Sequence, residues 1–158
     1  MTDQVRVDQT RWLDAEEGEA WRSLMRLVMV LPGALDTQLQ RDSGLSTYEY
    51  LVLARLSENP ERRLRLSELA PRSYGSLSRL SHVVSRLSAM GLVERVPCQE
   101  DRRVTFAVLT DQGYARLVEA APGHVEHVRT VVLDQLPRDQ LLALGAAAER
   151  ILTGSTSD

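Results

Sequence analysis

The sequence predicts a mainly α-helical chain with one small β-hairpin, and three patterns lead to that reading. Leucines recur at spacings of three and four in both terminal thirds, the period of a helix with one apolar face. Two runs rich in β-branched residues, 92–96 and 104–109, flank a polar link and read as paired strands. The segment 76–90 splits into an apolar and a polar side at about 100° per residue. The 158 residues make one domain in length, and with 43% hydrophobic but only 4% aromatic residues the core must be built of Leu, Val and Ala.

Residues 1–13 read as a polar arm. Asp14 is the expected N-cap of a long helix, with Glu16 and Glu17 in its first turn, where the helix dipole favours anions. Leu24, Leu27, Leu31, Leu35 and Leu39 form its apolar stripe, Pro32-Gly33 predicts a kink or break, and Gly44 ends it. Ser46 caps a second helix with Glu49 at capping-box spacing. Its expected core face is Tyr50, Leu53, Ala54 and Leu56, and it stops at Asn59-Pro60. Residues 63–66 are strand-like, Ser67 caps a brief third helix through Ala70, and Tyr74-Gly75-Ser76 turns the chain. The helix over 76–90 sets Leu77, Leu80, Val83, Val84, Leu87 and Met90 on its apolar side, and Gly91 supplies a left-handed cap. After the hairpin, Thr110 caps a helical region reaching about Leu133, in which Pro122-Gly123 predicts a bend or reset. Pro137 starts the last helix, whose wide apolar face comprises Leu141, Leu142, Leu144, Ala148, Ile151 and Leu152, and 153–158 form a polar tail.

The net charge of −3 conceals an asymmetry. Residues 62–103 hold nine Arg against Glu68, Glu94, Glu100 and Asp101, a local +5 between acidic flanks of −5 and −3. Phosphate responds to local rather than total charge, so this balance permits one basic face on an acidic protein. All nineteen basic residues are Arg, which reflects a GC-rich coding genome rather than a choice of guanidinium chemistry. The polar side of 76–90 holds Ser78, Arg79, Ser81, His82, Ser85 and Arg86 and no acid. A solvated helix usually mixes both signs. A face of Ser, His and Arg donors suits phosphates and base edges.

Other chemistries find little support. There is no nucleophile elbow, phosphate-binding Gly loop or zinc-protease motif, so an enzyme is not expected, nor a cofactor. Cys98 stands alone, which excludes an internal disulfide and a Cys-built zinc site. His124 and His127 are spaced i, i+3 but lack a third ligand at suitable spacing, so no metal is expected. No apolar run nears the roughly 18 residues of a membrane span, and the early acids do not resemble a secretory signal, so the expectation is a cytoplasmic protein.

Helix, short helix, turn, amphipathic helix and a basic-tipped hairpin form, in that order, a winged helix-turn-helix, whose second turn-motif helix enters the major groove. Three segments go further: LRLSELA (64–70), SLSRLSHVVSRLSAMGLVER (76–95) and EDRRVTFAVLTDQG (100–113). The last contains Asp-x-Arg, five residues, Leu-Thr, two residues and Gly. On these segments the chain resembles the MarR family of bacterial transcriptional regulators over about residues 20–150, and its Ser-Leu-Ser-Arg-Leu-Ser-His run resembles an actinobacterial subgroup. Pro71 and Ser73-Tyr74-Gly75 depart from the family's usual residues.

The resemblance implies a homodimeric repressor binding a palindromic double-stranded DNA operator. Ser78, Arg79, Ser81, His82 and Arg86 would contact bases and phosphates, and Ser76 a phosphate at the helix N-terminus. Arg102 and Arg103 would reach the minor groove or backbone, with Asp101 holding the wing tip through an Arg. The domain would span 1–158, with dimerisation helices at 14–44 and 110–153 and a DNA-binding lobe at 46–109. It also implies a small aromatic or phenolic effector, in a pocket lined by the first helix, the fifth helix, and Tyr48 and Tyr50. The rivals are a winged helix used for protein interaction, and a small-molecule-binding protein without operator binding. Some relatives use a cysteine as an oxidation switch near their N-terminal helices, but Cys98 lies at the wing base.

Overall fold

A computed structural model describes residues 10–101 and 103–155. In chain order these form α1 (Ala15–Ser43), α2 (Thr47–Ser57), β1 (Arg63–Arg65), α3 (Leu66–Arg72), α4 (Leu77–Ala89), β2 (Val93–Pro97), β3 (Thr105–Leu109), α5 (Asp111–Val131), a 3₁₀ turn (Leu133–Gln135) and α6 (Arg138–Ser155). The chain divides into two compact units after Ala34, within α1. In the first unit Asp14 caps α1: its Oδ1 accepts from the Glu17 amide at 2.8 Å, and Glu17 accepts from the Asp14 amide at 3.1 Å.

The second unit contains the core. Leu45, Val52, Leu53, Leu56, Leu69, Leu80, Val84, Leu87, Leu92, Val93 and Ala107 are essentially sealed from solvent, an aliphatic interior as the composition requires. α2 turns its Tyr48, Glu49, Val52, Leu53 and Leu56 face inward and leaves Tyr50 and Ala54 half-buried, so the expected face is shifted around the helix.

The sheet has three strands rather than the two of a hairpin. Its order is β1-β3-β2, antiparallel throughout, with Leu64 opposite Ala107 and Arg95 also opposite Ala107 across the other edge of β3. The short 63–65 run is therefore a true strand that closes the wing against the helices. Alternation sends Leu64 into the core and leaves Arg63 and Arg65 on the opposite face, over the Phe106 ring at 3.8 and 5.8 Å.

Helix boundaries differ from expectation in four places. α1 runs unbroken through Pro32-Gly33, and α5 through Pro122-Gly123. Both prolines are exposed, where water can take the hydrogen bond that each ring removes. α3 begins at Leu66 and continues past Pro71 to Arg72; Arg65, extended at φ −66° and ψ 143°, occupies the cap position without a side-chain bond, so Ser67 is inside the helix. α6 continues to Ser155, taking in residues 153–155 of the expected tail; residues 156–158 lie outside the described residues.

Two loop details lock the wing to α5. Gly91 has φ +73° and ends α4, and Thr110 Oγ1 donates to its carbonyl at 2.8 Å while accepting from the Gly113 amide at 2.9 Å. Gly113 is buried so closely that a Cβ there would overlap the Leu92 carbonyl oxygen. The Leu-Thr-x-x-Gly string is thus one packing contact written in sequence. Gly113→Ala should cost about 1–3 kcal/mol through overpacking against backbone. Urea denaturation with an unchanged midpoint would show that the junction relaxes freely.

Candidate nucleic-acid interface

The N-terminus of α4 is capped by Ser76, whose hydroxyl oxygen accepts from the Arg79 amide at 3.2 Å. Leu80, Val84 and Leu87 anchor the helix in the core, with Val83 and Met90 packed partly against it. Leu77, expected in that core, is 53% exposed. It sits in the first turn and lines a cleft of about 220 Å³ together with Leu66, Ser67, Ser81, Arg103, Val104 and Thr105. The cleft lies between α3, α4 and the wing, so α4 and the wing border one shared space. Ser67, Leu77 and Thr105 were not anticipated as site residues; the helical period assigned Leu77 inward because it cannot see where the neighbouring helix ends.

Ser76, Ser78, Arg79 and His82 are exposed and Ser81 is half-buried. Ser85 donates to the Ser81 carbonyl at 2.9 Å and accepts from Arg95 Nη1 at 2.8 Å, which ties β2 to α4. The two arginines of this face differ in role. Arg79 lies over the Tyr48 ring, 4.1 Å from its centroid. Arg86 instead reaches Glu49, with Nε 3.0 Å from Oε1. Glu49 is 1% exposed, and its other oxygen accepts from the Ser46 amide at 2.7 Å in the capping box of α2. One carboxylate thus closes α2 and grips α4.

At the wing tip Asp101 and Arg103 pair in a fork, Nε to Oδ1 and Nη2 to Oδ2, each 3.1 Å, and the Arg103 amide also donates to Oδ1 at 3.0 Å. These bonds hold the Asp101 carboxyl below its ordinary pKa, the side-chain bond being the larger cause. Arg102 lies outside the described residues.

Tyr48 and Tyr50 do not act as a pair. Tyr48 belongs to the core, and burial raises its phenol pKa against the smaller opposing influence of Arg79. Tyr50 packs on the His124 ring at 4.5 Å between centroids. His124 Nδ1 lies 3.2 Å from Gln38 Oε1, and burial, with His127 nearby, lowers its pKa. Among the described residues no group of His, Cys, Asp or Glu has the geometry of a metal site. No helix among them is long and apolar enough to cross a membrane.

The MarR family model matches residues 45–105, from the start of α2 into β3. The chain is 44% identical to Sco3205 of Streptomyces coelicolor, a MarR family transcriptional regulator solved in complex with DNA, over 93% of this chain and 96% of that one, with a TM-score of 0.89. The chain belongs to the MarR family. A second MarR regulator from Streptomyces coelicolor, AbsC, is 38% identical over 94% of this chain and all of that one, with a TM-score of 0.87. The repressor YetL of Bacillus subtilis is 33% identical over 89 residues, and the match spans only 53% of its length. Within the MarR lobe, α4 is the helix whose outward face carries Arg79 and His82.

The two arginines of α4 predict different losses of stability. Arg86→Ala strands a buried carboxylate and should cost about 1–3 kcal/mol. Arg79→Ala removes an exposed side chain and should stay within roughly 1 kcal/mol. Equal shifts of the urea midpoint would contradict this division.

Proposed function

We propose that this chain is a sequence-specific double-stranded DNA-binding transcriptional regulator, a repressor that acts in the cytoplasm as a homodimer on a palindromic operator. The observation that carries the reading is the outward face of α4: Ser78, Arg79 and His82 exposed together, with no acid, beside a wing that carries Arg103. Its near full-length similarity to a regulator solved with DNA supports the same assignment. Base edges would be read by Arg79, Ser78, Ser81 and His82 in the major groove. Ser76 and the wing arginines, Arg102 included, would take phosphate or minor groove. Arg86 would contribute mainly by holding α4.

Apolar side chains left exposed on the terminal helices support the dimer. Val28, Met29 and Val30 of α1 and Leu142, Ile151 and Leu152 of α6 are all more than half exposed in the single chain. Dimerisation helices at 14–44 and 110–153 flanking a DNA-binding lobe at 46–109 remain the layout we favour. A small aromatic effector completes the proposal, with Tyr50, His124 and Gln38 as its candidate polar lining.

Binding to random duplex and to a duplex enriched by the wild-type protein from a randomised pool tests the reading. Arg103→Ala should weaken both by similar factors and lower the log–log salt slope by about 0.9. Arg79→Ala should weaken the enriched duplex selectively, with about 1–3 kcal/mol of base discrimination lost. A wild-type protein that enriches no sequence would refute the reading.

A further inference from the structure

The first turn of α2 carries a core aromatic that touches the outward face of α4. Tyr48 is 8% exposed and belongs to the core, yet its ring lies beneath the guanidinium of exposed Arg79, 4.1 Å from centroid to carbon. Gly75, in the turn leading into α4, makes this possible: a Cβ there would overlap the Tyr48 hydroxyl. Gly75 itself has an ordinary φ, so the glycine serves proximity rather than a left-handed turn. The Tyr48 hydroxyl has no hydrogen-bond partner among the described residues.

We infer that Tyr48 is a specificity-determining positioning residue, which holds Arg79 in the orientation that reads guanine. The inference rests on the proposed DNA reading and on the base-contacting role given there to Arg79. A guanidinium attracted to a ring lies on the negative face of its π system. Stacking uses the face of the plane and leaves its N–H edge to pair with two acceptors, such as guanine O6 and N7. A long exposed side chain otherwise loses rotamer freedom when it binds. The stack meets part of that cost before DNA arrives. Because Ser76 fixes the Arg79 backbone and Tyr48 restrains its tip, both ends of the side chain are held. Tyr48 would never touch DNA, yet would set which base Arg79 prefers.

The test uses full-length protein and the duplex enriched by wild type from a randomised pool, with random duplex as the reference. Tyr48→Phe keeps the ring and should retain sequence preference within about twofold. Tyr48→Leu removes the ring and should weaken the enriched duplex by about two- to fivefold, with random-duplex binding unchanged. In the Arg79→Ala background Tyr48→Leu should have no further effect on preference. Where Tyr48→Leu disturbs the fold by circular dichroism, pentafluorophenylalanine at position 48 replaces it: the ring stays but its face no longer attracts a cation, and the same selective loss is expected. Undiminished preference in the folded ring-altered protein, or losses that add to that of Arg79→Ala, would overturn the role of Tyr48 alone. An Arg79→Ala protein that keeps full preference would overturn it together with the reading role of Arg79. Failure of wild type to enrich any duplex would overturn the DNA reading itself.

Discussion

The packing of α2 against α4 depends on one buried carboxylate. Glu49 caps α2 through the Ser46 amide and holds Arg86 of α4 at 3.0 Å, so two helices share a single anchor. A carboxylate 1% exposed must be fully compensated, because an unpaired buried charge is among the costliest defects a fold can carry. That requirement couples the two helices: moving Arg86 away from Glu49 would leave the carboxylate with the Ser46 amide alone. The adjacent residue, Tyr48, lies under Arg79 two turns toward the N-terminus of α4. The first turn of α2 therefore addresses both arginines of the outward face.

The wing follows similar logic at its two ends. At the tip, Asp101 neutralises and orients Arg103, so the acid sharpens a basic loop that it dilutes in net charge. At the base, Thr110 and Gly113 join the end of β3, the turn after α4 and the start of α5 in one tight contact. The position of the wing beside α4 is thereby tied to backbone packing. The net charge of −3 is compatible with a basic face because the arginines concentrate in this lobe.

Much of this was legible in the sequence, and the exceptions have physical causes. The caps at Asp14, Ser46, Ser76 and Thr110 and the left-handed Gly91 were readable because each is decided by a few adjacent residues. Of the kink or break expected at Pro32 and the bend or reset at Pro122, the break and the reset do not occur, since an exposed helix tolerates one lost hydrogen bond when both flanks remain helical. The third strand was seen only as a strand-like run, because its pairing with β3 joins residues some forty positions apart. For the candidate site, periodicity found the exposed set on α4 but could not tell Arg79 from Arg86. What separates them is a residue pair on another helix, Tyr48 and Glu49, and helical period carries no information across helices. Tyr48 was read as pocket lining for the same reason.

On the proposed reading the outward face of α4 meets DNA bases. Site-specific photocrosslinking from position 82, where exposed His82 projects beside Arg79, tests it directly. A photoreactive residue there should crosslink to bases within the duplex that wild type enriches, while the same group at exposed Leu152 of α6 should not. Crosslinking from position 82 only to the sugar-phosphate backbone, or no more than from position 152, would show that this face does not read bases.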